Sequence, residues 1–225
     1  MNRELRIKQL ESKHKELDEK VKLLYNTTYS ENKLKKLKQY TEFNLIGMGG
    51  SILGAEAIYD FLNHKINKKF YFFNNLQNRK ISKSKNKRLN LIISKSGNTL
   101  ETNSNLNLIL TKQSKNHNLI ITENKRNILS KISHKLKADI IEHKNYIGGR
   151  YSVLSEVGML PAELMGLKEK KFKRLNYLAK SKKFMNYLVQ NVSSIYSNII
   201  NGKNNGVILN YDEKFENFLK WYQQL

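Results

Sequence analysis

The sequence predicts an α/β protein whose parallel sheet is covered by helices on both faces. Short runs of branched and aromatic apolar residues at positions 43–46, 70–73, 89–93, 119–122 and 139–141 alternate with longer stretches of helical character. Two of these runs end in turns rich in glycine or hydroxyl side chains, at the strand ends where open α/β sheets hold their ligands. A chain of 225 residues with 39% hydrophobic residues is long enough for a substantial core.

Composition narrows the function. There is no cysteine, which excludes disulfides and thiolate metal sites and suits a reducing compartment. The first residues, Met1-Asn2-Arg3-Glu4-Leu5-Arg6, are too charged for a signal peptide, and no apolar run approaches the ~20 residues of a membrane helix. A cytoplasmic protein without membrane contact is expected. The net charge of +22 invites a nucleic-acid reading. However, the lysines are spread from Lys8 to Lys220, and zinc-finger spacing, aromatic RNA-binding signatures and helix-turn-helix patterns are absent. No specific nucleic-acid partner is expected, only weak salt-sensitive polyanion binding. His14, His64, His117, His134 and His143 lack metal-ligand spacing and read as surface or loop residues, so no metal site is expected.

Residues 2–25 read as a charged amphipathic helix through Leu5, Leu10, Leu17, Val21 and Leu24, and residues 31–40 as a second charged covering segment. The strand at 43–46 runs into Gly47-Met48-Gly49-Gly50-Ser51-Ile52-Leu53-Gly54. Its glycines let the backbone turn sharply and approach a ligand, and Ser51 is placed to cap a helix over 52–62. The dinucleotide fingerprint fails, since its third glycine would fall at Ile52, and the phosphate-loop lysine motif is missing.

The strand at 89–93 is followed by Ser94-Lys95-Ser96-Gly97-Asn98-Thr99, and Asn98 with Glu101 reads as a capping box opening a helix through Leu106, Leu108 and Leu110. A helix N-terminus with free N–H groups and clustered hydroxyls is an anion site, and Lys95 adds a point charge. A phosphate fits there; a capped turn without ligand is the alternative. After a strand at 119–122, a helix over 125–136 and a strand at 139–141, Gly148-Gly149-Arg150 frees a guanidinium fork to reach into a cleft, or else starts a helix with a salt-bridged arginine. Pro161 marks a kink or a new helix start. Helices are expected over 170–180, 184–200 and 214–225, with a strand at 206–211 that could open a second α/β unit.

The segments Gly47 to Gly54, Ser94-Lys95-Ser96-Gly97-Asn98-Thr99-Leu100-Glu101-Thr102 and Gly148-Gly149-Arg150-Tyr151-Ser152 through Glu163 resemble, in order and spacing, three successive motifs of glucose-6-phosphate isomerases, over about residues 42–225. The resemblance implies a three-layer sugar-isomerase sandwich with a five-stranded parallel sheet. It divides the chain into a helical segment (1–40), a first sugar-isomerase domain with the phosphate loop (41–168), and a helical connection with the start of a second such domain (169–225). It implies interconversion of glucose 6-phosphate and fructose 6-phosphate through a cis-enediol, in glycolysis and gluconeogenesis, without metal or nucleotide cofactor.

By position, Ser94, Ser96, Thr99 and Thr102 match the phosphate-binding hydroxyls, with Lys95 in the same loop. Gly50 and Ser51 match sugar-contacting residues, and Arg150 matches the arginine facing the reacting carbons. Asn98 departs from the usual threonine. No residue matches the family's proton-carrying glutamate, the histidine donated across its dimer, or its late lysine. The resemblance therefore implies an N-terminal portion of an enzyme that is a homodimer at full length. It further implies that this portion is inactive alone and leaves an apolar face of the helix at 215–225 uncovered. A non-catalytic sugar-phosphate sensor and a basic nucleic-acid binder are the rival readings.

Overall fold

The computed structural model describes residues 27–76, 87–112, 116–172, 174 and 176–225; the helix expected over 2–25 and His14 lie outside them. Five strands, β1 (Glu42–Ile46), β2 (Lys69–Phe73), β3 (Arg88–Ile93), β4 (His117–Thr122) and β5 (Asp139–Glu142), form one sheet in the order β2-β1-β3-β4-β5, all neighbours parallel. The expected five-stranded parallel sheet is therefore present. Around it lie α1 (Glu31–Leu37), α2 (Leu53–Leu62), α3 (Leu100–Lys112), α4 (Ile128–Leu136) and α5 (Glu156–Leu164).

Side-chain alternation along the strands divides the core in two. Phe43, Leu45, Leu89, Leu91, Ile93, Leu119 and Ile121 join Ile52 and Ala55 of the α2 region and Val157, Leu160 and Leu164 of α5 on one face. Ile46, Ile92 and Ile120 pack with Leu106 and Ile109 of α3 and Leu129 of α4 on the other. On that second face Asn44, Asn90 and Asn118 stand in register and pair across three strands, Asn44 donating to Asn90 at 2.7 Å and Asn90 to Asn118 at 2.8 Å. These buried amides interrupt the apolar runs at little cost because they bond to one another.

The helices after β1 and β3 leave to opposite faces, so the chain reverses its direction of growth between these two neighbouring strands. A parallel sheet opens a crevice at the carboxyl ends of such a strand pair.

Two caps differ from expectation. Ser51 does not cap α2: residues Gly49–Ser51 form a 3₁₀ turn, and Ile52 precedes α2 without a side-chain cap. Asn98 does not cap α3, which begins at Leu100; its Oδ1 instead accepts from the Ile128 N–H at the start of α4, 3.0 Å away. A tertiary donor outcompetes the local one. Pro161 sits inside α5 rather than at its start.

After α5 come two short helical turns, Glu169–Phe172 and Asn176–Lys180, then α6 (Lys182–Ile200) and α7 (Glu216–Gln224). The strand expected at 206–211 does not form; these residues are exposed and outside any sheet, because an apolar run with no neighbouring strand leaves its backbone groups to water. The helix at 215–225 is covered in part: one side packs on α2, while Phe218, Tyr222 and Leu225 remain exposed. Phe215 packs at a tilt against Phe61 of α2, Phe218 packs edge-on to Trp221, and Asn217 bonds to Asp60. Further exposed apolar residues lie along α6, including Tyr187, Val192, Ile195 and Tyr196. Among the described residues no helix is long and apolar enough to cross a membrane.

Candidate functional site

The turn after β3 is the centre of the site. Ser94 is buried, and its Oγ lies 2.9 Å from Thr99 Oγ1 while accepting from the Gly97 N–H at 3.1 Å. Ser96 is exposed and its Oγ accepts from the Asn98 N–H. Gly97 has φ of +67°, and a side chain there would collide with the Asn127 amide, so glycine is required twice over. Asn127 in turn caps α4 through Ser130 and donates to Thr122, which fixes the turn against β4.

Thr102, in the first turn of α3, is 1% exposed, and its Oγ1 finds no hydrogen-bond partner among the described residues. The first N–H groups of α3 lie in the same turn, without intrahelical acceptors and at the positive end of the helix dipole. Hydroxyls, free N–H groups and a helix N-terminus together suit a phosphate.

The Lys95 ammonium faces elsewhere. It donates to the Asn145 carbonyl at 2.8 Å and lies 3.4 Å from Glu123 Oε1. Glu123 also pairs with Lys125 at 2.9 Å, and that bond, helped by Lys95, holds its carboxyl below the usual carboxylate range.

The other two glycine-rich segments converge on this end of the sheet. Residues Gly149–Leu154 form a 3₁₀ segment, and Gly50 lies so close beneath it that an added Cβ would strike Gly149 C and O and come within 2.6 Å of Arg150 N. Ser152 Oγ clasps the contact by donating to the Gly149 carbonyl at 2.6 Å. Gly47 abuts the Ile93 carbonyl just before the β3 turn, so all three segments meet above β1 and β3. Gly50 and Ser51 are half-buried on the crevice floor, and Arg150 is exposed at its rim with no ion pair among the described residues. Its side chain is thus not the salt-bridged helix start that was the alternative.

Three participants carried no role in the sequence reading. Trp221 Nε1 donates to the Arg150 carbonyl at 3.0 Å, and the Gln224 side chain occupies the space over Gly49 with a buried, unpartnered Oε1. Both come from the Trp221-Tyr222-Gln223-Gln224-Leu225 stretch, whose polar and aromatic tips were the available signal. His143, read as a surface or loop residue, is only 1% exposed; burial pushes its imidazole below the usual value, and Glu156, Lys95 and Glu123 are the charged groups around it. Among the described residues no cluster of three or more potential metal ligands occurs.

Comparison with known proteins accords with these motifs. A family profile described as phosphoglucose isomerase matches residues 5–225. The chain is 32% identical over 231 residues to the glucose-6-phosphate isomerase of Methanocaldococcus jannaschii, an alignment covering 93% of this chain and 56% of that protein. It is 34% identical over 158 residues to that of Mycoplasma genitalium, covering 64% of this chain and 36% of the relative. The chain thus spans about half the length, or less, of the curated relatives it matches. Among solved structures, a hypothetical protein from Thermus thermophilus shares the fold with a TM-score of 0.58 at 22% identity, over 75% of this chain and 43% of that one. A tagatose-6-phosphate ketose/aldose isomerase from Escherichia coli does so at 0.50 and 13%, over 66% and 44%.

Proposed function

The chain belongs to the phosphoglucose isomerase family, and we propose that it supplies the phosphate anchor and the charge-stabilising arginine of a glucose-6-phosphate isomerase. The observation that carries this reading is the meeting of three segments, distant in sequence, above the β1/β3 crevice, with the buried Thr102 hydroxyl left unpartnered in the first turn of α3. In this reading the hydroxyls of Ser94, Ser96, Thr99 and Thr102 and the first N–H groups of α3 hold the phosphate of glucose 6-phosphate or fructose 6-phosphate. The sugar chain lies over Gly50 and Ser51. As a proton moves between the two carbons, negative charge grows on the oxygens of the cis-enediol, and the unpaired Arg150 fork stabilises it. No cofactor takes part.

The proton-carrying base is not assigned to a residue of this chain. Glu123 is held ionised between two lysines, and Glu156 is fully buried in the first turn of α5. The same reading makes the whole enzyme a cytoplasmic homodimer of glycolysis and gluconeogenesis with no nucleic-acid partner. An exposed, unpaired Arg150 favours a catalytic role over a sensor, which needs only the phosphate loop.

Titration with fructose 6-phosphate and with duplex DNA at about 0.15 M salt separates the classes, since screening at that ionic strength weakens scattered surface charge far more than a formed pocket. Ser94→Ala combined with Thr99→Ala should weaken sugar-phosphate binding by about 1.5–3 kcal/mol per charged hydrogen bond lost. Unchanged affinity for both the sugar phosphate and inorganic phosphate would remove the site from this turn.

A further inference from the structure

The geometry points to Lys95 as a positioning residue that couples the phosphate turn to the loop bearing Arg150, rather than as a ligand of the phosphate; this rests on the phosphate reading above. The backbone of Lys95 is fixed to the sheet: its carbonyl accepts from the Glu123 N–H at 3.1 Å and from Thr122 Oγ1 at 3.2 Å. Its side chain is what leaves the turn. The ammonium donates to the carbonyl of Asn145, five positions before Arg150, and is steadied by Glu123. Lys95 is thus pinned at its backbone beside the phosphate turn and at its tip in the arginine loop.

The far end of that loop is held as well. The Gly149–Arg150 peptide rests on Gly50, and the Arg150 carbonyl accepts from Trp221. A phosphate entering the Ser94–Thr102 turn adds negative charge to the turn from which this side chain departs, and so changes the field acting on the ammonium. Because one donor of this compact cation is already committed to the Asn145 carbonyl, any shift in its balance is transmitted to the segment leading to Arg150. Occupancy of the phosphate turn therefore sets the position of the arginine.

The chain contains a single tryptophan, Trp221, and it is bonded to Arg150 itself, so its emission reports on this loop. The test titrates inorganic phosphate into the 225-residue chain and reads heat by calorimetry and Trp221 emission in parallel. The wild-type chain should bind phosphate with a saturable change in emission. Lys95→Met should keep its affinity within about fivefold, the ceiling for a screened charge out of contact, yet lose the emission change. Lys95→Arg, which retains donors and charge, should restore the response. Far-UV circular dichroism establishes that the variants are folded, as expected for a side chain 30% exposed.

The coupling is overturned if Lys95→Met binds and responds like the wild type, or if the wild type binds phosphate without an emission change. A loss of affinity beyond about tenfold in Lys95→Met, the scale of a charged hydrogen bond, would make Lys95 a direct ligand and overturn it too. Absence of any phosphate binding by the wild type would instead refute the site, and the coupling with it.

Discussion

Gly50→Ala tests how the site is held together. The added methyl group would lie 2.6 Å from Arg150 N and closer still to Gly149 C and O, all of them backbone atoms with no rotamer to escape into. Ordinary contact begins near 3.4 Å, so the arginine segment must retreat from the first glycine turn by about 0.8 Å or more. Overpacking of this kind costs typically 1–3 kcal/mol, and the rigid neighbours place Gly50→Ala in the upper half of that range. The retreat pulls Arg150 away from its place over the sugar, and a misplacement near 1 Å costs on the order of 10²-fold in rate. Gly149→Ala is the internal control: its Cβ would meet nothing within 4 Å, although it belongs to the same glycine pair as Gly148. Urea unfolding should show Gly50→Ala destabilised by about 2–3 kcal/mol and Gly149→Ala within about 0.5 kcal/mol of the parent. Trp221 emission should shift only in the former. Equal midpoints for the two variants, with unshifted emission in both, would refute the close backbone contact on which the site rests.

Three further outcomes are expected. In a family member of whole length that carries this segment, Arg150→Ala should lower turnover about 10²–10³-fold while disturbing substrate binding less; a defect confined to KM would show that Arg150 only binds. The 225-residue chain alone should not interconvert the sugar phosphates in a coupled assay, because no glutamate in it matches the family's proton carrier; turnover lost in a parallel Arg150→Ala preparation would prove otherwise. His143, pushed by burial below its ordinary 6.5, binds fewer protons folded than unfolded between that lowered value and 6.5. Unfolding free energy should therefore be at its full value above pH 6.5 and fall as pH drops through that window, by up to about 1.4 kcal/mol per pH unit. His143→Asn should flatten that part of the profile, and an unchanged slope in the variant would dismiss His143 as its source.

The five strands were legible because buried parallel strands announce themselves as branched apolar runs, and each lies within about two residues of its expected place. What the sequence did not disclose is tertiary choice among equivalent local partners. Asn98 had a plausible cap three residues before Glu101, yet the Ile128 N–H brought near by the fold took its carbonyl oxygen. Asn44, Asn90 and Asn118 look like blemishes until the register sets them side by side. Residues 206–211 have the composition of a strand, but composition does not supply a neighbour to pair with. Within the site, the hydroxyls and glycines could be named from their motifs. The direction of the Lys95 side chain could not, since Asn145 and Glu123 lie in other turns.

The two ends of the sheet carry different kinds of polar group, and the difference points to one of them as the working end. At the amino ends of the strands the buried charges are matched: Arg88 bonds Glu42 at 2.7 Å and lies over the Tyr71 ring. At the carboxyl ends Thr102 Oγ1, Gln224 Oε1 and Glu156 Oε2 are buried without a partner, and Arg150 extends its charge without an ion pair among the described residues. An unmatched buried polar atom costs about 1–3 kcal/mol, and native proteins carry few of them. A chain shaped for stability alone would have satisfied these atoms or replaced them with apolar groups. Gln224 over Gly49 and the unpaired Arg150 above Gly50 stand at the β1/β3 crevice, on segments that the fold brings from distant parts of the chain, as expected when the missing partner is a ligand.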